Sequence, residues 1–218
     1  MVRQGARLAG LRETLYIGAI SGAPLWVQIV VLLLVFDLLQ WGIHNLLHRV
    51  PWLWEFHKVH HSIVDLDWIG HWRFHWFEAV FYKTLLYVPA AFFGFSAAAM
   101  FWYAVAASLV GHFAHSNLSV RIGPLRYLVN SPKMHVWHHT HPKAGPVNKN
   151  FGLTLSVWDW VFRTAYLPRR RDPERLGFGG DEAFPRSLWR QGLLPLVPLR
   201  PSKRKEVKDG ERPFGPPA

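Results

Sequence analysis

The side chain whose type and spacing could do chemistry in this chain is histidine. His44 and His48 stand four apart in HNLLHR, and His57, His60 and His61 follow in HKVHH. The same HX2HH spacing returns as His135, His138 and His139 in HVWHH. On a helix, positions i, i+3 and i+4 share one face, so each cluster can aim its imidazoles at a common point. Imidazole is the commonest side-chain metal ligand, and the eight rings of the three clusters suffice for two transition-metal ions. A lone histidine on an apolar helix is more often a packed residue than a ligand. Here all 13 histidines fall between His44 and His141, set among Trp, Leu, Phe and Val, and the flanks hold none. A loose metal-binding tract on a disordered tail would lack that apolar setting.

Several chemistries are excluded. The chain has no cysteine, which removes disulfides, thiolate zinc sites, iron–sulfur clusters and cysteine nucleophiles. No GxGxxG, P-loop, GxSxG or HExxH occurs, so nucleotide and serine-hydrolase readings have no anchor. Nitrogen-rich sites suit Fe, Zn, Cu or Ni. Zinc does not change oxidation state and would imply hydrolysis or a structural role, whereas iron with an open position can bind and reduce dioxygen. The Glu-x-x-His pairs of soluble di-iron bundles are absent.

The elements that must position these residues read as membrane helices. Of 218 residues, 50% are hydrophobic and 15% aromatic, including 12 Trp. The net charge of +11 suits nucleic acid or an anionic membrane surface, and the apolar runs favour the membrane. Residues 1–23, with Arg3, Arg7 and Arg12, read as an interfacial segment. Residues 24–43 carry a single charge, Asp37, and about 20 apolar residues span a bilayer. The first crossing therefore covers about 24–47 and runs into the first cluster. Asp37, Trp41, His44 and His48 share one face. Asp37 can accept a hydrogen bond from a ligand imidazole or bond a neighbouring helix. Arg49, Lys58 and Arg73 among tryptophans mark an interface. His75, in HWRFH, is a weaker ligand candidate. The apolar stretch 77–116 has only Glu78 and Lys83 charged, with Gly94 to Ser96 near its middle. That predicts a hairpin of helices at about 78–94 and 97–115, which returns His112 and His115 to the level of His44 and His48 as further ligand candidates. The far-side turn has no Lys or Arg, so the positive-inside rule places the histidines on the cytoplasmic side. Ser131-Pro132 is a helix start for the third cluster. Asn150 and Asp159 can hydrogen-bond ligand histidines or fix local turns. Residues 167–218 read as a basic, Pro-rich tail, solvated or on the membrane surface, without a nucleic-acid reader motif. The expected fold is an all-α membrane protein, with about three transmembrane helices and a cytoplasmic helical cap holding a dimetal site.

Taken together, HNLLHR (44–49), LWEFHKVHHS (53–62), RFHWFE (73–78), HFAHSNL (112–118), SPKMHVWHH (131–139) and NFG…WDWVFRT (150–164) resemble the fatty acid hydroxylase/sterol desaturase superfamily of integral-membrane non-haem di-iron enzymes. The resemblance covers roughly 30–166, so that 24–166 would form the catalytic domain. It implies two iron ions (zinc being able to occupy the sites in purified protein) and O2 as co-substrate. It further implies hydroxylation or desaturation of a lipid C–H bond, with electrons drawn from NAD(P)H through a donor protein or reductase. By motif position the ligands would be His44, His48, His57, His60, His61, His112, His115, His135, His138 and His139. The sequence departs from the family in Trp76 after the RxH histidine, where Pro is frequent, and in an HX2H fourth pair. Few residues precede the first helix, which leads to the expectation that an N-terminal membrane helix of many relatives is missing. The alternative is a non-enzymatic metal-binding or interaction membrane protein with structural metal ions.

Overall fold

A computed structural model of the chain describes residues 17–169 and 171–195. Arg3, Arg7 and Arg12 of the expected interfacial segment lie outside the described residues, as do Arg170 and the basic run Lys203 to Lys205. Among the described residues all regular structure is helical, and extended backbone pairs only as two isolated bridges, Val129 with Leu155 and Thr140 with Leu176.

Helix α1 spans Leu25–Arg49. Its middle, Leu32–Phe36, widens into a π turn before α-helix resumes at Asp37–Arg49. Pro51 ends it, because the residue before a proline is pushed out of the helical region; Val50 is extended, at φ −91° and ψ 113°. Pro51 then serves as the first residue of α2, Pro51–His61, a position that needs no N–H. This bend folds α2 back against the end of α1 and turns the first two histidine clusters toward each other.

Helices α3 (Trp76–Phe93) and α4 (Ala97–His115) are joined at Gly94, whose φ of 85° favours glycine. Ser96 caps α4 by accepting the Ala99 amide at 3.2 Å. Gln28 of α1 accepts the Ser96 amide at 2.8 Å and so pins this turn to the start of α1. The first half of α1 packs on α4 and its second half on α3. The short α5, Pro132–His138, carries the third cluster and packs on α4. Helices α6 (Val157–Val161) and α7 (Leu188–Leu193) complete the described set.

Polarity is inverted relative to a water-soluble bundle. Gln28, Asp37, Glu78 and most histidines are buried with Leu32, Phe36, Leu47, Leu86 and Ala99. Leu34 and Val35 on α1, Val80 and Val88 on α3, and Phe101 and Leu109 on α4 point outward. Such a surface is a liability in water and is what hydrocarbon requires. Two helices, α1 and α4, are long and apolar enough to cross a membrane by length and composition. The 18-residue α3 is about 27 Å long at 1.5 Å per residue, with Glu78 and Lys83 near its start.

The segment read as a tail does not all behave as one. Leu176, Phe178 and Gln191 are buried, the His141 amide donates to the Arg175 carbonyl at 3.0 Å, and Arg73 donates to Gln191 Oε1 at 3.1 Å. These anchors are scattered among Gly and Pro without periodicity, so no helical or strand pattern signals them.

Candidate metal centre

Nine histidines gather into two adjoining groups. His44, His48, His57, His61 and His138 form the first; His60, His115, His135 and His139 form the second. Within each group, one ring nitrogen of every member lies within 4.8 Å of all the others. The groups touch where the His61 ring stacks on His139, with centroids 4.5 Å apart.

The clusters do not each aim at a single point, as the i, i+3, i+4 spacing suggests. Each HX2HH is divided. His57 and His61 join the first group and His60 the second, while His135 and His139 join the second and His138 the first. At 3.6 residues per turn, positions i and i+4 diverge by about 40°, whereas neighbours diverge by about 100°. Adjacent histidines therefore join different groups, and α2 and α5 each reach both.

Ring orientation is fixed from the far side. His44 Nδ1–H donates to the Phe151 carbonyl at 2.7 Å, His60 to the Arg73 carbonyl at 3.1 Å, and His138 to the Lys149 carbonyl at 2.9 Å. His115 donates to the Gly111 carbonyl at 2.8 Å, one turn back in its own helix. His57 Nδ1–H donates to the Glu78 carboxylate at 2.8 Å. These oxygens accept, so the five rings carry their proton on Nδ1 and present a bare Nε2 to the interior. This is the usual support for a metal-bound imidazole.

The bare nitrogens then meet. His44 and His57 Nε2 are 3.2 Å apart, as are His60 and His115 Nε2. Neither member of either pair has a proton to share, so neither contact is a hydrogen bond. Facing lone pairs in a buried site repel unless a cation lies between them. Nitrogens each about 2.1 Å from one ion sit about 3.0 Å apart at a right angle and about 3.4 Å at the tetrahedral angle. His138 Nε2 is likewise buried without a protein partner. The residues fit one metal ion per group. Burial, then repulsion between neighbouring rings, holds His60, His61, His135 and His139 well below the ordinary imidazole pKa. Burial also draws His138 down to about 3. Neutral imidazole is the ligating form. The second group is fully buried; the first opens at the half-buried His48.

The remaining candidates take other positions. His112 is outside both groups: its Nδ1–H donates to the Trp68 carbonyl at 2.7 Å and its ring lies 4.7 Å from His71. His75 caps α3, accepting the Phe77 amide on Nδ1 at 3.0 Å. Asp37 meets no imidazole; its carboxylate accepts the Leu155 amide at 3.2 Å and Trp158 Nε1 at 3.1 Å. Asp159 accepts the Phe151 and Gly152 amides at 2.8 Å and Trp41 Nε1 at 3.1 Å, and so holds the loop whose carbonyl orients His44. Asn150, at φ 56°, donates to the carbonyls of Met134 at 2.7 Å and Tyr166 at 2.8 Å, tying α5 to that loop. His141 stands near Asp181 and Glu182, but Arg175 pairs with both carboxylates, at 2.5 and 2.9 Å. Sequence reasoning missed Glu78 as a support for His57. Its signal was a charge at the start of an apolar span, within RFHWFE.

Comparison with known proteins identifies the family. The fatty acid hydroxylase family model matches residues 29–164. The chain is 31% identical over 192 residues to the ornithine lipid hydroxylase OlsE of Rhizobium tropici, covering 87% of this chain and 55% of that protein. It is 29% identical over 129 residues to alkylglycerol monooxygenase of Xenopus tropicalis, covering 58% of this chain and 28% of that one. A very-long-chain aldehyde decarbonylase of Oryza sativa subsp. indica is 26% identical over 175 residues, covering 75% and 26%. The chain thus spans about half the length of the first relative and about a quarter of the others. No solved structure matches it. Both histidine groups fall inside the matched stretch, and the chain belongs to the fatty acid hydroxylase family.

Proposed function

We propose that this chain is a membrane-bound lipid oxygenase that holds one iron ion in each histidine group and hydroxylates, or desaturates, a lipid C–H bond. The ions would supply the activation of O2. In hydroxylation one oxygen atom enters the C–H bond and the other leaves as water, with two electrons and two protons. The electrons come from a donor protein or reductase that draws on NAD(P)H. The observation that carries this reading is the pair of buried Nε2 contacts between rings whose protons are committed elsewhere. The relatives' names, each a lipid hydroxylase, monooxygenase or decarbonylase, support the lipid.

The protein's own part is to hold and to exclude. Glu78 and the carbonyls of Phe151, Arg73, Gly111 and Lys149 keep five of the nine rings in their tautomer and direction. Phe151, fully buried, packs against the rings of His44, His48 and His138 and keeps water from them. The apolar outer faces of α1, α3 and α4 suit immersion in lipid, which brings substrate to the helix ends where the histidines lie. Arg49, Lys58 and Arg73 at that level, against a charge-free Gly94–Ser96 turn, favour the cytoplasmic side. Catalysis then belongs to residues 24–166, with the described residues 171–195 packed against it through Arg175, Gly177 and Gln191.

The test is purification from native membranes. Iron bound in both groups, and O2 uptake that requires both reductant and lipid, are the expected results. Zinc as the sole metal, with no O2-dependent change in any lipid, would count against the proposal.

A further inference from the structure

A cavity of about 370 Å³ opens onto the first histidine group, with His48, His61 and His138 among its lining residues. Trp54, Val147 and Phe178 also line it. Its roof is the turn at Gly177 to Gly179, stitched to the third cluster: the Gly177 amide donates to the His139 carbonyl at 3.0 Å. Gly177 has φ 121°, and a Cβ there would collide with the Asp181 carboxylate, so this turn is built to one shape. One further feature bears on the ligand. Arg49 is its one charged lining residue apart from the histidines, and it is exposed.

We propose that this cavity receives the polar end of an anionic lipid, with Arg49 pairing the phosphate or carboxylate, so that oxidation falls on a carbon near that end. This rests on the oxygenase reading above. Guanidinium matches both anions with paired hydrogen bonds. The volume decides which part of the lipid enters. Pockets for drug-sized ligands run from about 300 to 1,000 Å³, so this one accepts a headgroup-sized fragment and not a whole acyl lipid. The first group, open at His48, is the one such a fragment can reach, while the second is sealed.

The absence of cysteine allows a test that needs no turnover. Val147→Cys places a lone thiol on the cavity wall, and Val161→Cys places one at an exposed position elsewhere. Each full-length variant is reconstituted in vesicles of phosphatidylglycerol or of phosphatidylcholine with the same chains, and labelled with an uncharged maleimide. Labelling at Val147→Cys should be slower in phosphatidylglycerol by about fivefold, the scale of one partly exposed ion pair. The difference should vanish when Arg49→Gln is added. Equal rates in the two lipids, protection that survives Arg49→Gln, or the same lipid effect at Val161→Cys would each overturn the proposal. A product oxygenated in the distal half of an acyl chain would also overturn it. Failure of the oxygenase reading shows separately, as metal-loaded protein that oxidises no lipid while the labelling difference persists.

Discussion

Glu78→Ala probes the one carboxylate among the described residues that supports a ring of the two histidine groups. His57 and Glu78 are each 1% exposed, and the carboxylate takes the His57 Nδ1–H at 2.8 Å. Alanine leaves that N–H buried without an acceptor, at a cost of about 1–3 kcal/mol. Losing a carboxylate behind a ligand imidazole weakens metal binding by about 10–100-fold, or about 1.4–2.8 kcal/mol at 1.4 per decade. The two routes give the same scale. His57 belongs to the first group only, so the penalty falls on one ion. The assay is release of Co2+ or Zn2+ to a competing chelator, with bound metal counted by mass spectrometry. The wild-type chain should release its ions in two steps. In Glu78→Ala one of the two steps should move to weaker binding by about 10–100-fold and the other should stay. Glu78→Gln, which keeps an acceptor oxygen, should shift less. A folded Glu78→Ala protein with both steps unmoved, or with both moved by one factor, refutes the assignment of His57 to a single metal position.

Three further experiments separate roles. His115→Ala should cost the second group its ion, whereas His112→Ala should retain both, since His112 stands outside both groups; metal content of the two purified variants decides. Asp159→Ala strands the Phe151 and Gly152 amides and Trp41 Nε1. It should lower stability by about 3 kcal/mol or more, read as an earlier thermal transition in detergent. Gly111→Ala drives a methyl into the His71 ring and should destabilise by about 1–3 kcal/mol. Gly42→Ala, with nothing within 4 Å of the new carbon, is its neutral control in the same melt.

The gathering of the histidines is legible in the sequence because metal binding needs many copies of one residue type at helical spacing, and few other pressures produce HX2HH twice. The helices are legible because hydrocarbon demands long uncharged runs, so the expected 24–47 and 97–115 lie close to the observed Leu25–Arg49 and Ala97–His115. Which ring joins which group is less legible. It depends on the bend at Val50-Pro51 and on the angle between α2 and α5, which are tertiary facts. Four of the five ring supports are main-chain carbonyls, and a carbonyl has no residue type to recognise. His112 sits at ligand-like spacing from His115, yet it meets the 3-10 turn Trp68–Trp72, whose position no periodicity announces.

The π turn at Leu32–Phe36 sets the rotational phase of the longest helix. Sixteen residues separate Gln28 from His44; in an unbroken α-helix that leaves their directions about 160° apart. Absorbing one extra residue in a wide turn reduces this to about 60°. One rod can then hold the far-side loop through Gln28 at one end and offer His44 to the interior at the other. Deleting a single residue from this stretch would let the spiral close up, and the helix would have to choose between its two appointments.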